Sequence, residues 1–124
     1  MSFGFKNLEV WKVSKSFAKD VYELTSFFPS DERFGLVAQL RRAAISVMSN
    51  IAEGAGRKHK KEFDHFLYLA RGSLNETVAQ LEISFEFGYM NRDQLDLIRR
   101  RPKALIECSG NSPNLLKNRR TDDG

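Results

Sequence analysis

Residues 40–54 read LRRAAISVMSNIAEG, and this stretch decides the fold. Leu40, Ala44, Val47 and Ile51 recur at steps of three and four, the spacing of one face of an α-helix. Ala43, Ala44, Ser46 and Ser49 carry little bulk, so a neighbouring helix can approach closely. The same small residues also suit a subunit interface. Arg41, Arg42, Asn50 and Glu53 add polar groups that must meet a partner or solvent. A close-packing helix with this complement predicts an all-α bundle.

The helical period extends in both directions. A first helix is predicted over residues 7–27, with Asn7 as its cap and Pro29 as its stop. Leu8, Trp11, Ala18, Val21, Thr25 and Phe28 form one stripe, and Val10, Phe17 and Leu24 a second. The second helix is predicted over residues 31–53, ended by Gly54 and Gly56. The third, over residues 60–87, has a seam of Phe63, Leu67, Ala70, Leu74, Thr77, Leu81 and Ser84 that runs on to Gly88. Phe66, Leu69, Ile83 and Phe87 form its second stripe. Asn91 caps a fourth helix carrying Leu95, Ile98 and Leu105. Pro102 falls in that seam and costs about 3 kcal/mol in a helix interior, so the fourth helix is expected to be kinked or shortened there. Short connectors make neighbours antiparallel. The expectation is an all-α, antiparallel up-down-up-down four-helix bundle over residues 1–108, followed by an irregular, mobile tail over 109–124.

Composition sets the outer bounds. A length of 124 residues fits one domain, and 41% hydrophobic residues supply a modest core. The net charge of +4 and pI near 9.4 permit nucleic-acid contact without requiring it. Cys108 is the lone cysteine, so no intrachain disulfide forms. No apolar run suits a signal peptide or a membrane span, and a cytoplasmic protein is expected.

If the loop between the second and third helices centres near Arg57–Lys58, facing residue numbers total about 115. This brings Arg41 or Arg42 towards Glu76, and an Arg–carboxylate bridge between the two helices is expected. Such a pair would set register and add little net stability.

The stretch 40–54, the basic loop after it and the segment Arg71–Gly72–Ser73–Leu74–Asn75–Glu76 resemble the four-helix-bundle family of 23S ribosomal RNA intervening-sequence proteins. The opening Phe5–Lys6–Asn7–Leu8–Glu9–Val10–Trp11 is similar to that family's N-terminal pattern. The resemblance covers residues 5–100 and departs after about Arg101. It implies a four-helix bundle and a ring-like homopentamer. A related protein, the accessory variability determinant of diversity-generating retroelements, binds a reverse transcriptase and nucleic acid. Carried over by position, the family pattern marks Arg41, Arg42, Asn50, Glu53, Gly54, Arg71, Gly72, Ser73 and Glu76 as structural. It transfers no catalytic residue.

Two basic clusters are candidates for contact with RNA or DNA: Arg57, Lys58, Lys60 and Lys61 in the loop, and Arg99, Arg100 and Arg101 near Pro102. Repetition around a ring would add their fields. They also read as a solvated loop and as arginines suited to a helix C-terminus. Stacking aromatics are not interleaved with these charges in the chain, which argues against sequence-specific RNA reading. The alternative is a protein-interaction adaptor docking through an apolar surface. Catalysis is not expected. His59 and His65 are six apart, Cys108 has no nearby His, and no metal-ligand spacing or cofactor motif is present.

Overall fold

The computed structural model describes residues 4–105. Helix α1 spans Glu9–Thr25, α2 Leu36–Ala55, α3 Lys60–Glu86, α4 Arg92–Ile98 and α5 Arg100–Leu105. The described residues contain no strand, and α4 with α5 forms the fourth arm of a four-helix, all-α bundle. None of these helices is long and apolar enough to cross a membrane. The predicted tail at 109–124 lies outside the described residues.

The core joins the predicted stripes. Phe17 and Val21 of α1, Leu40, Val47 and Ile51 of α2, Phe63 and Leu81 of α3, Leu95 of α4 and Leu105 of α5 are all buried together. Each large side chain removed from water stabilises the fold by about 1.5–3 kcal/mol. The second stripe of α3 does not join them: Leu69, Ile83 and Phe87 stay exposed. Ser73 and Gln80 meet α2, and the 100° step per residue places this stripe outside them, beyond both neighbouring helices.

Helix α2 packs on α3 in antiparallel register. The Ser46 and Ser73 hydroxyls are 2.8 Å apart, and Gln80 donates from Nε2 to Gln39 Oε1 at 3.3 Å. The loop-centre estimate pairs Ser46 with Leu69, so the observed register lies one turn further along α3. The connector supplies part of the offset. His59 is extended, at φ −107° and ψ 139°, and an extended residue advances about 3.3 Å against 1.5 Å in a helix. At the observed register helix α3 begins about a turn beyond the end of α2.

Helix ends depart from the sequence reading in three places. Asn7 closes a 3₁₀ turn, Gly4–Asn7, and the α1 N-cap position belongs to Leu8. Residues Ser30–Glu32 form a second 3₁₀ turn, and α2 starts later, where Glu32 Oε1 accepts from the Leu36 backbone N–H at 3.2 Å. Gly54 does not stop α2 but lies inside it. A Cβ there would fall 2.5 Å from Phe66 Cβ and 2.8 Å from Phe63 Cδ1, so its missing side chain is where α3 enters.

Two other ends follow the chemistry of their residues. Gly88 adopts φ +83° after α3, where the Tyr89 N–H reaches Ser84 O and the Gly88 N–H reaches Phe85 O, both at 2.9 Å. This is the left-handed glycine closure that satisfies free helix carbonyls. Asn91 caps α4 with a reciprocal box: its side chain accepts from the Gln94 N–H, and its N–H donates to Gln94 Oε1, each at 2.8 Å.

The fourth arm breaks at Arg99, three residues before Pro102. Pro102 has no N–H, and its ring crowds the carbonyl four residues earlier, at Ile98. Placing Pro102 in the first turn of α5 removes that conflict and leaves the ring buried.

Candidate nucleic-acid interface

The connector residues Gly56–His59 and the first turn of α3 present the first basic cluster. Arg57 is committed inside the chain. Its Nη2 lies 2.9 Å from Glu53 Oε1, its Nη1 lies 4.0 Å from Glu62 Oε2, and its guanidinium covers the Phe66 ring at 5.0 Å. Lys58, Lys60 and Lys61 form no ion pair among the described residues, and Lys58 and Lys61 are exposed. This end of the bundle therefore keeps uncompensated positive charge, carried by flexible ammonium groups rather than by Arg57.

The second cluster behaves differently. Arg99 pairs with Glu82 at 3.1 Å, and Arg101 pairs with Asp20 at 2.6 Å. Arg100 is exposed and makes no ion pair among the described residues. The two clusters do not merge. Arg41 meets Thr25, which sets α2 against α1 and places the basic loop near the start of α1. Asp20 lies about a dozen residues further on, so Arg101 is anchored about 18 Å from the basic loop along the bundle. Beside Arg101 runs an apolar groove of about 620 Å³ between α1 and the fourth arm, flanked by Phe27 and Leu97.

The family-pattern residues divide by role. Arg41 does not bridge to Glu76. Its Nε donates to Thr25 Oγ1 at 2.9 Å, its Nη2 donates to the Tyr22 carbonyl at 3.2 Å, and its guanidinium lies 4.6 Å from the Tyr22 ring centre. It ties α2 to α1, because its place on the helix faces α1 rather than α3. Arg42 and Glu76 are exposed and join no ion pair among the described residues. The α2–α3 seam is instead neutral. Asn50 Nδ2 donates to the Ser46 carbonyl at 2.9 Å and lies 3.2 Å from its hydroxyl, which contacts Ser73. Thr77 continues the seam by donating to the Ser73 carbonyl at 2.7 Å. Glu53 holds Arg57, Gly54 admits the α3 phenylalanines, and Arg71 and Gly72 are exposed on the outside of α3.

Sequence reasoning missed one group. Lys61, His65, Tyr68 and Gly72 follow steps of four, three and four, and all are exposed. Tyr68 is 71% exposed. The aromatics absent from the basic loop itself thus continue its charge along α3, and the signal lies in the helical spacing rather than in adjacency. Among the described residues, no group of three or more His, Cys, Asp or Glu side chains could hold a metal ion.

Residues 6–108 match the model of a family described as 23S rRNA-intervening sequence protein. The match runs past Pro102, so the family pattern persists beyond the departure expected at Arg101. A crystal structure of a protein of unknown function from the S23 ribosomal protein family of Bacteroides thetaiotaomicron is similar, with a TM-score of 0.71 and 27% identity. The similarity covers 79% of this chain and 95% of that one. No curated protein matches the chain.

Proposed function

Since the chain belongs to the 23S rRNA-intervening sequence protein family, we propose that it is a non-enzymatic, self-associating cytoplasmic scaffold that binds nucleic acid through the α2–α3 end. The observation that carries this reading is the asymmetry of the two basic clusters. Lys58, Lys60 and Lys61 have no carboxylate partner among the described residues, whereas Arg99 and Arg101 are paired. Phosphate contact at the lysines would release counterions without first breaking an internal ion pair. The homopentamer implied by the family resemblance would repeat that charge around a ring and raise avidity.

Filter binding of RNA and DNA oligonucleotides across a salt series tests the proposal. Three phosphate contacts predict a slope of log affinity on log salt of about −2 for single strands. Lys58→Gln with Lys61→Gln should flatten it. Absence of salt-sensitive binding at low ionic strength would sink the reading. Light scattering on the intact chain tests the pentamer, and a monomer at every concentration would remove it.

The apolar groove beside Phe27 and Leu97 favours the adaptor as the second reading. Protein partners retained from nuclease-treated lysate, with no nucleic-acid binding by the pure chain, would favour it over the first.

A further inference from the structure

We infer that the outer line of the first half of α3 is a stacking track for single-stranded nucleic acid, with Tyr68 as its platform. The inference rests on the proposed nucleic-acid function and adds the class of ligand and the path it takes. Lys61, His65, Tyr68 and Gly72 lie on the side of α3 opposite its buried residues Phe63, Leu67, Ala70 and Leu74. From Lys61 to Gly72 the line is about 16 Å long. It starts at the unpaired lysines of the loop.

Three features favour an unpaired strand over a duplex. The first is the flat, open face of Tyr68, which is 71% exposed. A base in a duplex hides its faces in the stack, whereas an unpaired base offers one to an aromatic ring. The second is the recess of about 340 Å³ beside the line, bordered by Arg57, Lys61, Glu62, His65 and Phe66. Arg57 covers the Phe66 ring there, so the aromatic surface left beside a free cation is that of His65 next to Lys61, the pairing that a base and its phosphate require. The third is Gly72, where a Cβ would meet no atom within 4 Å, so the line beyond Tyr68 is unobstructed.

Charge gives the track its limit. Residues 57–71 hold five Lys or Arg against two acidic residues, whereas residues 72–86 hold Glu76, Glu82 and Glu86 and no cation. A polyanion following the lysines is attracted as far as Arg71 and repelled further along.

The test is fluorescence anisotropy of the intact chain with labelled U12 RNA, dT12 DNA, a 12-base-pair duplex and a 12-residue poly-glutamate peptide. Both single strands should bind more tightly than the duplex, and comparison of U12 with dT12 tells whether RNA or DNA is preferred. Tyr68→Ala should weaken single-strand binding about fivefold or more and leave duplex binding unchanged. Tyr68→Phe should keep affinity within about twofold, because the ring face is retained. The exposure of Tyr68 makes both variants safe for folding, which circular dichroism checks. Duplex binding as tight as single-strand binding overturns the inference, as does tighter binding of poly-glutamate, which would assign the face to an acidic protein. An unchanged Tyr68→Ala beside a weakened Lys58→Gln, Lys61→Gln variant overturns the stacking track alone. Failure of the parent chain to bind any oligonucleotide overturns the proposed function with it.

Discussion

Replacing Gly54 by alanine is expected to destabilise the protein, although alanine is the better helix former. In a helix interior Gly→Ala ordinarily gains about 1 kcal/mol. At Gly54 the new Cβ would stand 2.5 Å from Phe66 Cβ and 2.8 Å from Phe63 Cδ1. Carbon atoms rest at about 3.5–4.0 Å, so the shortfall is about 1 Å. Phe66 Cβ is fixed to the α3 backbone and cannot rotate away. The α2–α3 seam must therefore open, and overpacking of this kind costs about 1–3 kcal/mol. Set against the propensity gain, the net loss is about 0–2 kcal/mol. Gly72→Ala is the companion variant, since a Cβ there meets nothing within 4 Å and only the propensity acts. It should gain about 0.5–1 kcal/mol. Urea denaturation reads both as midpoint shifts of opposite sign at constant slope. A Gly54→Ala protein stabilised as much as Gly72→Ala, or a destabilised Gly72→Ala protein, would refute the close-approach account of the seam.

Other expectations follow from single contacts. Arg41→Ala should lose about 1–2 kcal/mol through its partly buried bond to Thr25 and its exposed bond to the Tyr22 carbonyl, whereas Arg42→Ala should stay within about 0.5 kcal/mol. A double-mutant cycle between Arg41 and Glu76 should show no coupling beyond about 0.5 kcal/mol, and a larger value would revive the α2–α3 bridge. Asn91→Ala removes the capping box and should cost about 1 kcal/mol by thermal melting. The Tyr89 hydroxyl donates to Glu32 Oε2 at 2.8 Å, and this bond, with desolvation and the charges of Glu32 and Asp31, raises the phenol pKa above its usual value. The protonated form is the one favoured by folding. Its contribution is complete below about pH 10 and fades as pH rises through the raised folded value. Subtracting a Tyr89→Phe titration from the parent at 295 nm should isolate this late phenol, and Glu32→Gln should bring it earlier.

The sequence made the bundle legible because burial repeats. Leu40, Ala44, Val47 and Ile51 declare a helix face by spacing alone, and Asn91 declares a helix start by local chemistry. Pro102 announced the break in the fourth arm, since a missing N–H and a ring clash act within four residues. The basic loop was visible as composition. Which of its charges remain unpaired was not, because Arg57 reaches Glu53 and Glu62 from opposite sides of the connector.

Interactions between helices needed the tertiary structure. Arg41 and Arg42 are neighbours in the chain, yet a 100° step sends one to α1 and the other to solvent. Gly54 and Gly72 look equivalent in sequence, but one admits α3 and the other faces open space. Tyr68 joins the lysines only when α3 winds them onto one line. Periodicity, capping and proline geometry are properties of a few consecutive residues, so the chain by itself determined the helices and their core faces. Register, ion pairing and the identity of the open surface depend on how far one helix slides along another, and only the folded bundle decided them.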